Sequence, residues 1–175
     1  MIFTPTTIPG CVLVDPEPRA DARGFFARLF CPEEFAAAGH PFTRVQASLS
    51  RNPTRHTLRG LHWQDPPHAE SKLVHVTRGR VHDVVVDLRP DSPAYRRWLA
   101  FDLDAENARA LLVPAGCAHG FLTLEPDTDV LYEIDRAYVP GVARGARYDD
   151  PAFGIDWPAP PALVGAADLA WPAWG

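Results

Sequence analysis

Between Leu73 and Ile134 hydrophobic and polar positions exchange at intervals too short for long helices. Leu73–Thr77 runs into the turn signal Arg78-Gly79-Arg80. Val81–Leu88 then sets His82, Val84 and Val86 on one side against Val81, Asp83, Val85 and Asp87 on the other. Residues two apart share one face of a strand, so this stretch reads as β. Arg97–Leu103, Ala110–Val113, His119–Thr123 and Asp129–Ile134 continue the series. Polar turns at Asp91-Ser92-Pro93 and Asp104-Ala105-Glu106-Asn107 separate them, and Asp149-Asp150-Pro151 closes the strand region. Nineteen prolines and twelve glycines are scattered along the chain and leave little room for helix. Pro32–Ala38, closed by Gly39, is one short helix, and a second follows Gly165. The pattern predicts an all-β protein, a sandwich or barrel of the jelly-roll sort with a few short helices.

At 175 residues the chain suits a single domain over 1–175, and no repeat or linker divides it. Beyond Trp157 come Pro158, Pro160 and Pro161, then Trp171 and Trp174. Indole faces of that size are worth burying, so the tail is expected to pack back on the barrel near its pocket. A net charge of -5 excludes an overall basic surface for nucleic acid, although a local arginine cluster could hold a small anion. Three dispersed cysteines, Cys11, Cys31 and Cys117, form neither a disulfide framework nor a zinc pattern and read as small buried residues. No apolar run reaches membrane-spanning length, and the N-terminus lacks a signal-peptide pattern, which points to the cytoplasm and away from a membrane partner.

Chemistry concentrates at Arg59-Gly60-Leu61-His62-Trp63-Gln64, followed by His68, Glu70 and Lys72, and at Pro114-x-Gly116-x-x-His119. A lone histidine is usually a core residue satisfied by a carbonyl. His62 sits on a predicted strand at a barrel mouth among Arg59, Gln64, His68 and Lys72, a density of polar groups that a structural core seldom tolerates. A metal would draw on His62, Glu70 and His119, but Gln64 stands where a second histidine would be needed and is a poor ligand. A lysine is usually solvated at the surface, but the entry of Lys72 into an apolar strand favours an inward role, for which Asp83 on the next strand could be the acidic partner unless it is an ordinary strand-end residue. Tyr132 and Tyr138 are equal candidates for a protonated phenol at the pocket.

In order and spacing, Asp21-x-Arg23-Gly24-Phe25-Phe26, Arg59–Gln64, Lys72-Leu73-Val74, Asp83–Arg89, Pro114–Phe121, Tyr132, Tyr138-x-Pro140 and Asp149–Pro158 resemble the dTDP-4-dehydrorhamnose 3,5-epimerase family of the cupin superfamily. The likeness runs from about Asp21 to Asp168. It implies a cupin-type jelly-roll homodimer, with N-terminal strands exchanged between subunits, that uses no cofactor and no metal. The substrate class it implies is a dTDP-linked 4-keto-6-deoxy hexose. Protons next to the C4 ketone would be removed and returned from the opposite face, at C3, C5 or both, in deoxysugar biosynthesis. By position His62 matches the general base, Asp168 the carboxylate that orients it, Tyr132 the acid and Lys72 the enolate stabiliser. Arg59 and His119 match residues lining the sugar-diphosphate pocket. Arg23 and Phe26 match nucleotide contacts from the partner subunit, and Gln46 and Tyr138 further substrate contacts. Arg28, Ala47-Ser48-Leu49, Gly141, Ala143 and Ala167 depart from the family pattern, so the sugar and the number of centres inverted stay open. A 3-epimerase, a 3,4-ketoisomerase of the same fold, a metal-dependent cupin enzyme and a sugar-binding module are the alternatives.

Overall fold

The computed structural model describes residues 1–174. Strands β1 (Ile2–Pro5) and β2 (Val12–Asp15) precede a small hairpin, β3 (Arg19–Asp21) and β4 (Gly24–Phe26). Helix α1 (Pro32–Ala37) follows, then β5 (Gln46–Asn52), β6 (Thr57–Gln64), β7 (Lys72–Arg78), β8 (Arg80–Asp87), β9 (Trp98–Asp104), β10 (Ala110–Val113), β11 (Cys117–Thr123) and β12 (Thr128–Ile134). The chain ends in β13 (Ala143–Gly145), β14 (Leu163–Val164) and α2 (Ala166–Leu169). One sheet runs β1-β2-β10-β7-β12-β5; the other runs β13-β6-β11-β8-β9, with β14 parallel on β6. From β5 to β12 successive strands alternate between the two sheets, except that β8 and β9 are neighbours in one, which gives the jelly-roll that the alternation pattern predicted. Among the described residues no helix is long and apolar enough to cross a membrane.

Strand β8 explains why the sheets need three layers of packing. Its Val81 and Val85 enter the core between the sheets beside Val74, Val130 and Phe121. Its Val84 and Val86 face the other way, under Phe153, Trp157 and Trp174 of the C-terminal segment. A strand apolar on both sides must be covered on both sides, and the tail provides the second cover. On the first sheet the outer face, with Val12, Val14, Leu73 and Leu112, is closed by Phe35 of α1 and by Phe42. Helix α1 has no side-chain cap at Cys31, but Pro32 opens it, Glu33 and Glu34 lie in its first turn, and Gly39 leaves it at φ +81°.

Cys11 and Cys117 are buried, and burial pushes both thiols up to about 12. Cys31 corrects the expectation for the third: it is only partly covered, because it lies at the solvent-facing start of α1 with its thiol toward Glu33.

Candidate active site

A cavity of about 280 Å³ opens at one end of the barrel, and both sheets line it. Ser48 and Ser50 come from β5, Arg59 and His62 from β6, Lys72 from β7, His119 from β11, and Tyr132 and Ile134 from β12; Glu70 lies in the loop before β7. Period-two geometry supplies most of this set, since alternate residues of each strand share the inner face. Cross-strand register supplies the rest: His119 stands opposite His62, Tyr132 opposite Ser48, and Ile134 opposite Lys72.

Two glycines let β6 and β11 come together here. Gly60 has φ +127°, and a β-carbon on it would lie 2.5 Å from Gly120 Cα; one on Gly120 would lie 2.8 Å from the Arg59 carbonyl oxygen. No side chain fits between the strands at that point, so the pair fixes how closely Arg59, His62 and His119 gather.

His62 is held from behind. Its Nε2 lies 2.6 Å from Asp168 Oδ1, and the other carboxylate oxygen accepts from the Gly60 backbone N–H at 3.3 Å. Burial alone would raise the Asp168 carboxyl, but the bonds from His62 and Gly60 outweigh it and hold the group below the usual range. Facing an ionised carboxylate, Nε2 carries the proton and donates, which leaves Nδ1 with the ring's lone pair. Asp168 is itself buried although it belongs to a four-residue helix, because β14 pairs with β6 and carries α2 against that strand.

Lys72 is buried, and its ammonium lies 3.3 Å from Glu70 Oε1 and 3.4 Å from the His62 carbonyl. Burial pulls its pKa down while the Glu70 charge opposes the fall. The expected partner Asp83 acts on Lys72 by its charge, but the direct ion pair is made by Glu70, which corrects the expectation. Asp83 is fully buried and engages His119 Nε2 through both oxygens, at 2.9 and 2.8 Å. The reason is topological: β7 and β8 belong to different sheets, and β8 pairs with β11, where His119 lies. Gln64 gives its amide to Glu70, so it serves the lysine's partner.

Tyr132 and Tyr138, equal in sequence, separate in space. Tyr132 lines the cavity, its ring edge-on to His119 at 5.8 Å, and burial drives its phenol well above the ordinary range. Tyr138 is 65% exposed, and its backbone N–H donates to Gln46 Oε1 at 2.8 Å. Arg59 is oriented by Asn52, whose Oδ1 accepts from Arg59 Nε at 2.7 Å while its amide donates to Thr128 O. Arg23 and Phe26 are brought nowhere near this group of side chains: they ride the exposed β3–β4 hairpin, Phe26 at 78% exposure and Arg23 paired with Asp21. Asn52, Ser50 and Ile134 escaped the sequence reading, and Ser48 entered it only as a departure from the family pattern. The alternation of Gln46, Ser48, Ser50 and Asn52 against Ala47, Leu49 and Arg51 was the available signal. Among the described residues no group of three or more His, Cys, Asp or Glu side chains is arranged to hold a metal ion.

A base backed by a carboxylate, a buried cation and a protonated phenol around one cavity can remove and return protons at carbon next to a carbonyl. The model of the dTDP-4-dehydrorhamnose 3,5-epimerase family matches residues 5–175. The enzyme of that name from Sinorhizobium fredii is 41% identical over 158 residues, which is 90% of this chain and 81% of that one. A dTDP-4-dehydrorhamnose 3-epimerase from Streptomyces niveus is 37% identical over 169 residues, 96% of this chain and 81% of its own. The solved dTDP-6-deoxy-D-glucose-3,5-epimerase of Legionella pneumophila, in complex with dTDP-4-keto-L-rhamnose, superposes with a TM-score of 0.91 at 34% identity. That superposition covers 97% of this chain and 90% of the other. Fold, cavity and extent of match agree, and the chain belongs to the dTDP-4-dehydrorhamnose 3,5-epimerase family.

Proposed function

We propose that this protein, an isomerase of the epimerase class, acts on a dTDP-linked 4-keto-6-deoxy hexose and inverts C3 and C5 beside the ketone. In this reading His62 takes the proton, Asp168 orients the imidazole and stabilises its cation, and Lys72 steadies the enolate oxygen. Tyr132 returns a proton to the opposite face. A single base cannot invert a centre, because it would give the proton back to the side from which it came. The observation that carries the proposal is that His62 and Tyr132 line one cavity from opposite sheets, with His62 already held by Asp168 at 2.6 Å. Arg59 and His119 share that cavity and suit the sugar-diphosphate, a guanidinium being well matched to phosphate oxygens.

The chain functions as one domain and as a homodimer in this proposal. Support comes from the β3–β4 hairpin, whose Phe26 and Arg23 stand exposed on their own subunit and would reach the partner's nucleotide site. Edge strands β1 and β5 are further surfaces that pairing would cover. A cytoplasmic enzyme follows from the substrate class. Gln46 and Tyr138, joined by their own hydrogen bond, would border the sugar nucleotide.

Incubation with dTDP-4-keto-6-deoxyglucose in heavy water tests the assignment. Deuterium at C3 and C5 with inverted products is the expected result, and His62→Ala should abolish label at both. Native protein that incorporates no label would refute the assignment. A second reading, inversion at C3 alone, is favoured by the near-equal identity to the Streptomyces niveus 3-epimerase. Label confined to C3 would decide for it.

A further inference from the structure

We infer that Trp171, seated on the bare backbone of Gly145, is a positioning residue for the His62–Asp168 pair: the indole fixes the one-turn helix α2 so that its carboxylate meets the imidazole. The inference rests on the proposed roles of His62 and Asp168.

Gly145 stands directly across from His62 in the β13–β6 pairing. Cross-strand partners present their side-chain positions to the same face of a sheet, so the place a Gly145 side chain would take lies beside that of His62. Trp171 fills it. A β-carbon on Gly145 would stand 2.7 Å from Trp171 Cδ1 and closer still to Cε2 and Nε1. Gly145 has no left-handed backbone to require glycine, so the tight indole contact is what an added side chain would disturb. From that seat the chain is only three residues from Asp168. The Trp171 Nε1–H is buried without a hydrogen-bond partner among the described residues, so the indole acts here through its packing on Gly145.

Independent contacts hold the rest of the segment, and at the carboxylate itself the one besides His62 among the described residues is the long 3.3 Å bond from the Gly60 backbone N–H. Upstream, Leu163 and Val164 pair with Thr57 and Leu58. Arg147 Nη1 donates to the Leu169 carbonyl at 2.8 Å and so ties down the end of α2. Helix α2 has no side-chain N-cap and spans four residues, too short to hold its own shape. Without the indole, the carboxylate can swing from the imidazole while the fold persists.

The experiment compares Trp171→Ala, Trp171→Phe and Gly145→Ala with Asp168→Ala on the keto-sugar nucleotide. A catalytic group displaced by 1 Å costs about 100-fold. Trp171→Ala and Gly145→Ala are therefore expected to lower kcat at least tenfold with KM little changed. They should also shift the acid limb of kcat/KM and broaden the downfield proton resonance of the His62–Asp168 hydrogen bond. Trp171→Phe, which keeps a ring on Gly145, should recover most of kcat and restore the resonance. If Trp171→Ala fails to fold, Gly145→Ala and Trp171→Phe carry the test. An inactive Asp168→Ala beside a Gly145→Ala variant with native kcat, pH profile and resonance would overturn the positioning role alone, as would a folded Trp171→Ala with the same native properties. A fully active Asp168→Ala would instead overturn the reading of the dyad on which it rests.

Discussion

Tyr132→Phe separates proton removal from proton return and is the sharpest test of the proposed chemistry. Burial, with the Asp83 charge adding and the Arg59 charge opposing, lifts the Tyr132 phenol above its ordinary value of 10. At neutral pH less than about 0.1% is then ionised, so the substitution removes a complete donor and not a fraction of one. A positioned acid contributes about 10²–10⁴-fold, which corresponds to about 3–5 kcal/mol of barrier. The ring itself stays: it packs on the core between the sheets and keeps its edge contact with His119. Stability should therefore change by less than about 1 kcal/mol, and a melting curve would verify that the loss is chemical. The assay is NMR of the keto-sugar nucleotide in heavy water, read both for deuterium and for configuration. His62 still exchanges protons on its own side, so label should continue to enter while inverted product falls by the factor above. Inversion by Tyr132→Phe at the native rate would refute the assignment of Tyr132 as the opposite-face donor.

The pH profile should report Lys72. Burial lowers its ammonium from the ordinary 10.5, and the charged form is the useful one, so kcat should hold at lower pH and fall as pH rises through the lowered value. An alkaline limb that survives unmoved in Lys72→Met would contradict this. Gly120→Ala places a β-carbon 2.8 Å from the Arg59 carbonyl and must spread β6 from β11; activity should fall with the melting temperature, and native kcat in that variant would count against the close approach as a determinant of the site. Phe121→Ala, at a fully buried core position on the strand that carries His119, should cost about 3–5 kcal/mol by denaturant unfolding. A loss below about 1 kcal/mol would mean that the intersheet core is not packed as described.

How much of this was legible depended on whether a face was dry. Strands β7, β8 and β10 to β12 were readable because inward valines and leucines alternate or run together between turns, and α1 because Pro32 and Gly39 bracket it. Strands β3 and β4 went unread because all their residues are exposed, which leaves no hydrophobic period to detect. Asp168 illustrates a different limit. It lies 106 residues from His62 on a single helical turn among alanines, so nothing local announces it, and only the family likeness pointed there. Missing Glu70 as the direct partner of Lys72 came from treating Arg78-Gly79-Arg80 as an ordinary hairpin turn. The chain changes sheets at that turn, and a change of sheet alters every cross-strand neighbour downstream.

Change of sheet is also what makes the proposed inversion possible on this fold. His62 and His119 belong to one sheet, Lys72 and Tyr132 to the other, and both sheets line the cavity. A planar enolate held there has one face toward each sheet, so a base and an acid placed on facing strands are automatically on opposite sides of the carbon. Two groups on adjacent strands of a single sheet would both attack from below. The supports come from different places: Asp83 anchors His119 from the neighbouring strand of the same sheet, Asp168 anchors His62 from helix α2, and Glu70 holds the lysine from the loop leading into the other sheet. Direct contacts then tie the two sheets together at the cavity, Lys72 Nζ to the His62 carbonyl and Arg59 Nε to Asn52 Oδ1, and so set how far apart the proposed base and acid stand.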